Sequence, residues 1–144
     1  MAGAEVLSLL RDKGLKVTPQ RLAIYDLLVN TTAHPSAEAI YEKVRQQYPS
    51  ISFNTVYKTL EALGQRGLIR RLSAAENVYR YDADTRPHGH LVCLKCGRID
   101  DLHWPVGAPI DALRREAMDR TDYRILGEDV YLYGYCPECR SKAP

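Results

Sequence analysis

The sequence predicts an α+β protein built from two small domains. Three observations lead to this prediction: four amphipathic helix patterns fill the first half, two short runs of β-favouring residues follow them, and strand patterns flank a charged helix in the second half. The chain has 144 residues, of which 45% are hydrophobic and 26% charged, as in ordinary folded proteins. Because no apolar run could span a bilayer and the first residues lack a signal-peptide core, we expect a cytoplasmic protein.

The helix patterns have recognisable start signals. The first pattern covers residues 4–13. Thr18 followed by Pro19 predicts an N-cap and a first helical position for RLAIYDLLVN. Ser36 and Ser52 predict the caps of AEAIYEKVRQQY and FNTVYKTLEALGQRG. The first half should therefore contain four helices.

A hairpin is predicted directly after these helices. LIRRLS and VYRYD are β-favouring runs separated by the polar turn AAEN. Helices closed by a hairpin follow the order of a winged helix, in which the helix before the hairpin enters the major groove of DNA. We predict a winged-helix DNA-binding domain over residues 1–82, with 52–65 as the recognition helix. The residues expected to contact bases or phosphates are Lys16, Arg21, Asn54, Thr55, Tyr57, Lys58, Arg70 and Arg71.

The two halves differ in charge. Residues 1–81 carry 11 Lys and Arg against 7 Asp and Glu, a net charge of +4, whereas residues 82–144 carry 9 against 11, a net charge of −2. A basic half suggests that this part meets nucleic acid.

The second half predicts a small α/β domain over residues 83–144, joined through a polar hinge at about 82–89. HLVCL, RIDDL, YRIL and VYLYGYC have strand patterns, and PIDALRREAMDR has a helix pattern. Roughly 60 residues are few for an independent core. A metal ion and a partner subunit would each stabilise such a domain.

Four cysteines form two CxxC pairs, CLKC and CPEC. In a reducing compartment, paired thiols more often bind metal than form disulfides. Four thiolates complete the tetrahedral coordination of zinc, so a closed structural site is predicted. Free dithiols and a thiol redox switch are the alternatives. The predicted zinc ligands are Cys93, Cys96, Cys136 and Cys139.

Two histidines, His88 and His90, precede the first cysteine pair. Residues two apart on a strand share a face, whereas Cys93, three beyond His90, points to the other face, so one ion cannot easily collect all four. The histidines are either bystanders or ligands of a second ion. His34, in a turn of the first half, and nearby aspartates would complete a nitrogen and oxygen site suited to Fe(II), Mn(II) or Zn(II). An ion shared by His34 and His90 would lock the two halves together.

GLKVTPQR, FNTVYKTLEAL, HGHLVCLKCG and the late CPEC together resemble the ferric uptake regulator (Fur) family of bacterial metalloregulators, over nearly the whole chain. The resemblance implies a winged-helix DNA-binding domain and an α/β dimerisation domain that form a homodimer on a palindromic operator. It implies structural Zn²⁺ at the four cysteines, and operator contacts by Tyr57, Lys58 and Lys16. It also implies a regulatory Fe²⁺ or Mn²⁺ site formed by His34, Asp82, His88, His90 and Asp101.

The position of Asp101 indicates a branch of that family. The resemblance implies that iron sensors commonly have Glu there, that peroxide sensors have Asp, and that zinc sensors add a cysteine, whereas this chain has no fifth cysteine. The peroxide-sensing branch is therefore favoured, with His34 and His88 as the oxidised positions.

We predict a metal-dependent DNA-binding transcriptional repressor that senses peroxide through Fe(II)-dependent oxidation of histidine ligands. One alternative is an iron-responsive or other metal-responsive repressor. A zinc-dependent hydrolase or thiol oxidoreductase is a second alternative, but the sequence lacks a general base beside an HExxH-type pair. An adaptor protein that binds no DNA is the third.

Overall fold

A computed structural model of the chain describes residues 3–75, 78–105 and 108–142 and has two units, Met1–Arg86 and Pro87–Pro144. The first unit contains α1 (Gly3–Asp12), α2 (Pro19–Val29), α3 (Ala37–Gln47), α4 (Phe53–Gln65), β1 (Arg70–Ala75) and β2 (Val78–Asp82). The second contains β3 (Gly89–Cys93), β4 (Ile99–Leu102), α5 (Pro109–Arg120), β5 (Tyr131–Gly134) and a short 3₁₀ helix (Arg140–Lys142). The α+β class is confirmed. Within the described ranges, the helices are all too short or too polar to cross a membrane.

The predicted caps of α2, α3 and α4 are confirmed. Thr18, Ser36 and Ser52 have extended backbone, and their side-chain oxygens accept hydrogen bonds from the first turn of the following helix. The donors are the backbone N–H groups of Arg21, Ala39 and Thr55, at 3.2, 3.2 and 3.1 Å respectively. Three short polar side chains thus determine where these helices begin.

Helix α4 ends in a Schellman motif that turns the chain into β1. Gly67 has a φ of +72°, a conformation that glycine adopts without steric cost. The N–H of Leu68 donates to the carbonyl of Leu63 at 3.0 Å, and both leucines are buried. This turn sets the start of the hairpin relative to α4.

The core of the first unit fixes the inner face of α4. Val56, Leu60 and Leu63 are each at most 1% exposed and pack with buried side chains of the other helices. β1 and β2 pair antiparallel, with Arg71 opposite Tyr81. The predicted AAEN turn includes residues 76 and 77, which lie outside the described residues.

The second unit has a sheet with the strand order β4-β3-β5. β3 pairs antiparallel with β4 and parallel with β5. Its described part has few buried apolar side chains, whereas sixteen form the core cluster of the first unit. The buried apolar residues in the described part of the second unit are Val92, Cys93, Ile99, Ala108 and Cys136. With so small a core, a metal ion and a partner subunit would contribute much of the stability.

The prediction of a strand at YRIL is wrong. Residues 123–126 are described and have no strand conformation, and Leu126 is 86% exposed. β3 already has a hydrogen-bonded neighbour on each side, so this segment gains no place beside the central strand. An alternating pattern indicates that a segment can form a strand, but it does not supply a partner.

Candidate metal centres and nucleic-acid interface

The parallel pairing of β3 with β5 brings the two cysteine pairs to one edge of the sheet. Cys93, the last residue of β3, is the direct partner of Gly134, the last residue of β5. The carboxyl ends of parallel strands meet at the same edge, so the segments that carry Cys96 and Cys136 leave the sheet side by side. The N–H of Leu94 donates to the carbonyl of Gly134 at 2.8 Å and holds them together.

The four sulfur atoms fit tetrahedral zinc. The Sγ atoms of Cys93, Cys96, Cys136 and Cys139 all lie within 4.8 Å of one another. Those of Cys96 and Cys136 are 3.8 Å apart. Zn–S bonds of about 2.3 Å in a tetrahedron place the sulfurs roughly 3.8 Å from each other. Four thiolates leave no open position on the ion, as in structural rather than catalytic zinc sites.

The cysteine thiols of this group differ in their pKa values. The N–H groups of Cys136 and Cys96 donate to Cys93 Sγ at 3.4 and 3.5 Å and lower the pKa of Cys93 to about 6. The hydrogen bond with the Cys136 thiol raises the pKa of Cys139 to about 12. Zinc binds thiolates, so it must displace the more firmly held protons. Zinc affinity should therefore fall as the pH is lowered.

Two histidines of the second unit share one carboxylate. Asp101 Oδ1 lies 3.2 Å from His88 Nε2 and 3.4 Å from His90 Nε2. His90 lies in β3 directly opposite Asp101 in β4, whereas His88 immediately precedes β3. Both histidines are at most 2% exposed. Two imidazoles and a carboxylate form the donor set of non-haem Fe(II) sites that keep open positions.

The first unit buries a further histidine and carboxylate. His34 Nε2 lies 3.4 Å from Asp82 Oδ2, and the two residues are 2% and 7% exposed. His34 has a φ of +51°, which is uncommon outside glycine and typical of residues held in place by their surroundings. The Arg80 guanidinium donates to the His34 carbonyl at 3.0 Å, and Tyr81 N–H donates to the Pro35 carbonyl at 3.0 Å. These bonds join the turn after α2 to β2.

Most side chains predicted to contact DNA lie on the surface of the first unit. Asn54, Thr55 and Lys58 are exposed on α4, and Tyr57 is half-buried. The Thr55 hydroxyl is within 2.9 Å of Ser52 Oγ, so it also contributes to the helix cap. Lys58 is the exposed cation on the N-terminal half of this helix.

The basic residues outside α4 differ in their contacts. Lys16 is exposed, whereas Arg21 is half-buried and its guanidinium donates to the Lys16 carbonyl at 2.9 Å. Arg70 is half-buried at the start of β1. The Arg71 guanidinium lies 4.1 Å from the centroid of the Tyr79 ring across the hairpin. Arg21 therefore fixes the chain before α2, which is a structural role that the sequence did not indicate.

Two aromatic contacts around the histidines were missed by the sequence reasoning. The ring of Tyr131 stacks on His90 with a centroid distance of 5.7 Å, and His103 lies against His88 at 5.0 Å. A Cβ atom at Gly89 would be 2.7 Å from Trp104 Cζ3, so the indole requires glycine at this position. The pairing of β3 with β5 joins residues far apart in sequence, and only the two CxxC motifs indicated that these segments lie close together.

Known proteins are similar to this chain in sequence and in fold. The profile of the ferric uptake regulator family matches residues 12–133. The transcriptional regulator PerR of Clostridium acetobutylicum is 40% identical over 139 residues, which cover 96% of this chain and 99% of that protein. The structure of the Campylobacter jejuni peroxide stress regulator is 32% identical with a TM-score of 0.74, covering 92% of this chain and 98% of that one.

A second solved structure is also similar over almost the whole chain. The Helicobacter pylori ferric uptake regulator, described as having three functional metal-binding sites, is 25% identical with a TM-score of 0.79 and covers 97% of this chain and 95% of that one. Sequence and fold lead to the same assignment. The chain belongs to the ferric uptake regulator family.

Proposed function

We propose that the protein, a metal-dependent transcriptional repressor, senses hydrogen peroxide through Fe(II)-dependent oxidation of histidine ligands and then releases DNA. The observation that carries this proposal is the buried contact of two histidines with one carboxylate oxygen, Asp101 Oδ1. Relatives named as peroxide regulators support the same signal.

The regulatory ion would be bound by histidines and aspartates. The proposed ligands are His34, Asp82, His88, His90 and Asp101. They are nitrogen and oxygen donors without a thiolate, a set that suits Fe(II) and Mn(II). In each unit the histidines already lie within 3.4 Å of a carboxylate oxygen, so the donors are largely preorganised. The four cysteines would hold a separate, structural Zn²⁺.

Peroxide is favoured over a simple metal signal by the carboxylate at position 101. It is an aspartate, as the resemblance implies for peroxide sensors, and the chain has no fifth cysteine for a zinc-sensing site. When bound, Fe(II) would supply an electron to hydrogen peroxide and so produce a strong oxidant beside its ligands. Mn(II) in the same site would support DNA binding and resist this reaction.

His34 and His88 are the proposed oxidation sites. Each would gain one oxygen atom to become 2-oxo-histidine, which is a poorer metal ligand than imidazole. Both side chains are only 2% exposed, so an oxidant formed beside them meets the imidazole before it can diffuse to the surface. Loss of a histidine ligand would weaken metal binding and with it the DNA-binding conformation.

Operator binding is assigned to α4 and the β1–β2 hairpin. α4 has its apolar side buried and presents Asn54 and Lys58 to solvent, as a helix in the major groove requires. A palindromic operator would match a homodimer, in which two recognition helices enter successive major grooves.

The dimer contact is assigned to the second unit. Leu91 of β3, Leu102 of β4 and Leu132 of β5 are 39%, 37% and 51% exposed. The strand registers place them on one face of the sheet, opposite the face of His90 and Asp101. We call these three residues the leucine face. α5 also has no buried residue, and its Leu113 is 60% exposed. Apolar surface of this extent is typical of an interface.

Mass spectrometry combined with DNA binding tests the proposal. The full-length protein would be loaded anaerobically with Fe(II) or Mn(II), and a duplex that it binds would first be selected from random DNA. After peroxide is added, we expect one added oxygen atom in peptide 22–43 or 81–95 and release of the duplex from the Fe(II) form only. Unchanged peptides and unchanged DNA binding would contradict the peroxide function.

An iron-responsive repressor is the second candidate, because the Helicobacter pylori ferric uptake regulator has a TM-score of 0.79 to this chain. It predicts that the Fe(II) form keeps the duplex after peroxide addition and loses it only when a chelator removes iron. The same samples therefore separate the two candidates.

A further inference from the structure

Tyr131 lies directly against His90, one of the proposed ligands of the regulatory metal. It is the Cα partner of His90 in the parallel β3–β5 pair, and the two rings stack with a centroid distance of 5.7 Å and an interplanar angle of 27°. His90 is 1% exposed, whereas Tyr131 is half-buried. An oxidisable phenol thus covers a buried imidazole.

The aromatic contacts continue in both directions along the sheet. The rings of His88 and His90 are 4.6 Å apart, and those of Tyr131 and Tyr133 are 6.4 Å apart at 30°. Tyr131 and Tyr133 are two residues apart in β5, so they share the face on which His90 lies. Tyr133 is 56% exposed. A continuous row of rings therefore leads from the buried histidines to the surface.

We infer that Tyr131 and Tyr133 form a redox path that carries oxidising equivalents away from the sensing histidines. This inference rests on the proposed peroxide function, in which hydrogen peroxide is the oxidant and Fe(II) its reductant. Phenols lose one electron and one proton more readily than imidazoles do, and rings in contact exchange electrons rapidly.

Each transfer balances. An imidazole of His88 or His90 that has lost one electron regains it from Tyr131, whose phenolic proton passes to water. The Tyr131 radical then takes an electron from Tyr133 and a proton from water, and Tyr133 releases its phenolic proton to water and becomes the neutral radical. Two such surface radicals on different molecules combine, with a new carbon–carbon bond, to give dityrosine. The path therefore competes with oxygen insertion at the histidines and raises the peroxide dose needed for derepression.

Matched phenylalanine variants test this path. Tyr131→Phe keeps the stacked ring and removes the oxidisable hydroxyl, and Tyr123→Phe is the control because Tyr123 is 75% exposed and outside the row. The zinc-containing proteins would carry equal amounts of Fe(II) and receive substoichiometric peroxide. The measurements are tyrosyl radical by freeze-quench electron paramagnetic resonance, dityrosine fluorescence, and oxygen addition in peptides 22–43, 81–95 and 125–140.

In the unmodified protein and in Tyr123→Phe we expect tyrosyl radical and dityrosine. Tyr131→Phe should lose both, and a larger fraction of its peptide 81–95, which contains His88, should carry the added oxygen atom. Equal tyrosine and histidine products in Tyr131→Phe and the unmodified protein would overturn the path while leaving peroxide sensing intact. Tyrosine products that depend on Tyr131, without histidine oxidation, would support the path and contradict the proposed sensing chemistry. Absence of both kinds of product would overturn both.

Discussion

His90 and Asp101 are direct partners across the β3–β4 pair, and one carboxylate oxygen of Asp101 lies within 3.4 Å of both His90 and His88. Asp100, the preceding residue, points to the other face and pairs with Arg98 at 2.7 Å. Two adjacent carboxylates of β4 therefore have different partners, and they provide a matched pair of variants.

Asp101→Asn should weaken regulatory metal binding. It removes the negative charge but keeps the side-chain shape, so Mn(II) affinity should fall by about 10–100-fold or more. Isothermal titration with Mn(II) measures this change. Asp100→Asn is the control and should bind Mn(II) normally. Equal losses in the two variants would show that general charge, rather than ligation, governs the affinity.

Cys96→Ser and His90→Ala should have different effects. Cys96→Ser removes one of four zinc ligands from a unit with a small core, so zinc, thermal stability and the dimer should be lost together. His90→Ala should keep zinc and the dimer but lose metal-dependent DNA binding. Zinc analysis, thermal unfolding and DNA binding check both. Identical defects would contradict two separate sites.

Leu132→Asp should produce monomers. The substitution puts a charge on the leucine face, and this charge would be desolvated in an interface. Sedimentation velocity measures the oligomeric state. Val78→Asp is the control, since Val78 is also exposed, at 43%, but lies on the hairpin of the first unit. If the Leu132→Asp variant remains a dimer, the interface lies elsewhere than on the leucine face.

Lys58→Ala should weaken DNA binding without affecting the fold. Lys58 is exposed on α4, so its loss leaves the core unchanged and removes one cation from the proposed DNA-binding surface. The slope of log K against log salt should decrease by about 0.9 if one phosphate contact is lost. Fluorescence anisotropy over a salt series gives the slope. Lys43→Ala, at an exposed position of α3, should leave it unchanged.

Gly89→Ala should destabilise the second unit. The added methyl group would lie 2.7 Å from Trp104 Cζ3, and forcing a ring aside typically costs about 1–3 kcal/mol. Gly134→Ala is the control because its Cβ would meet nothing within 4 Å. Chemical denaturation followed by tryptophan fluorescence compares the free energies of unfolding. Similar free energies of unfolding for the two variants would mean that the Trp104 side chain moves aside at little energetic cost.

Local signals in the sequence predicted much of the fold. Thr18, Ser36 and Ser52 start their helices because each cap depends on a hydrogen bond to a residue three positions later. The two CxxC pairs likewise predicted one four-cysteine group, since the spacing alone suits a shared ion. The caps and each CxxC turn are short-range features, which depend little on the rest of the chain.

Non-local pairing was harder to predict. YRIL has a strand pattern but no place beside β3, and the pattern carries no information about available partners. The stacking of Tyr131 on His90 depends on the register between strands almost forty residues apart, which periodicity does not fix. The contact between the rings of Tyr131 and His90 therefore became visible only in the structure.

Successive side chains of β3 lie on opposite faces of the sheet, and the two faces have different proposed roles. His90 faces the other proposed metal ligands of its sheet and Leu91 faces the proposed partner subunit, so neighbouring positions would have different roles. A systematic substitution scan of β3 should show defects that alternate with a period of two, with signal loss at one position and monomer formation at the next. Deleting a single residue from this strand would turn the side chains beyond it to the opposite face of the sheet, so both metal binding and dimer formation should be lost.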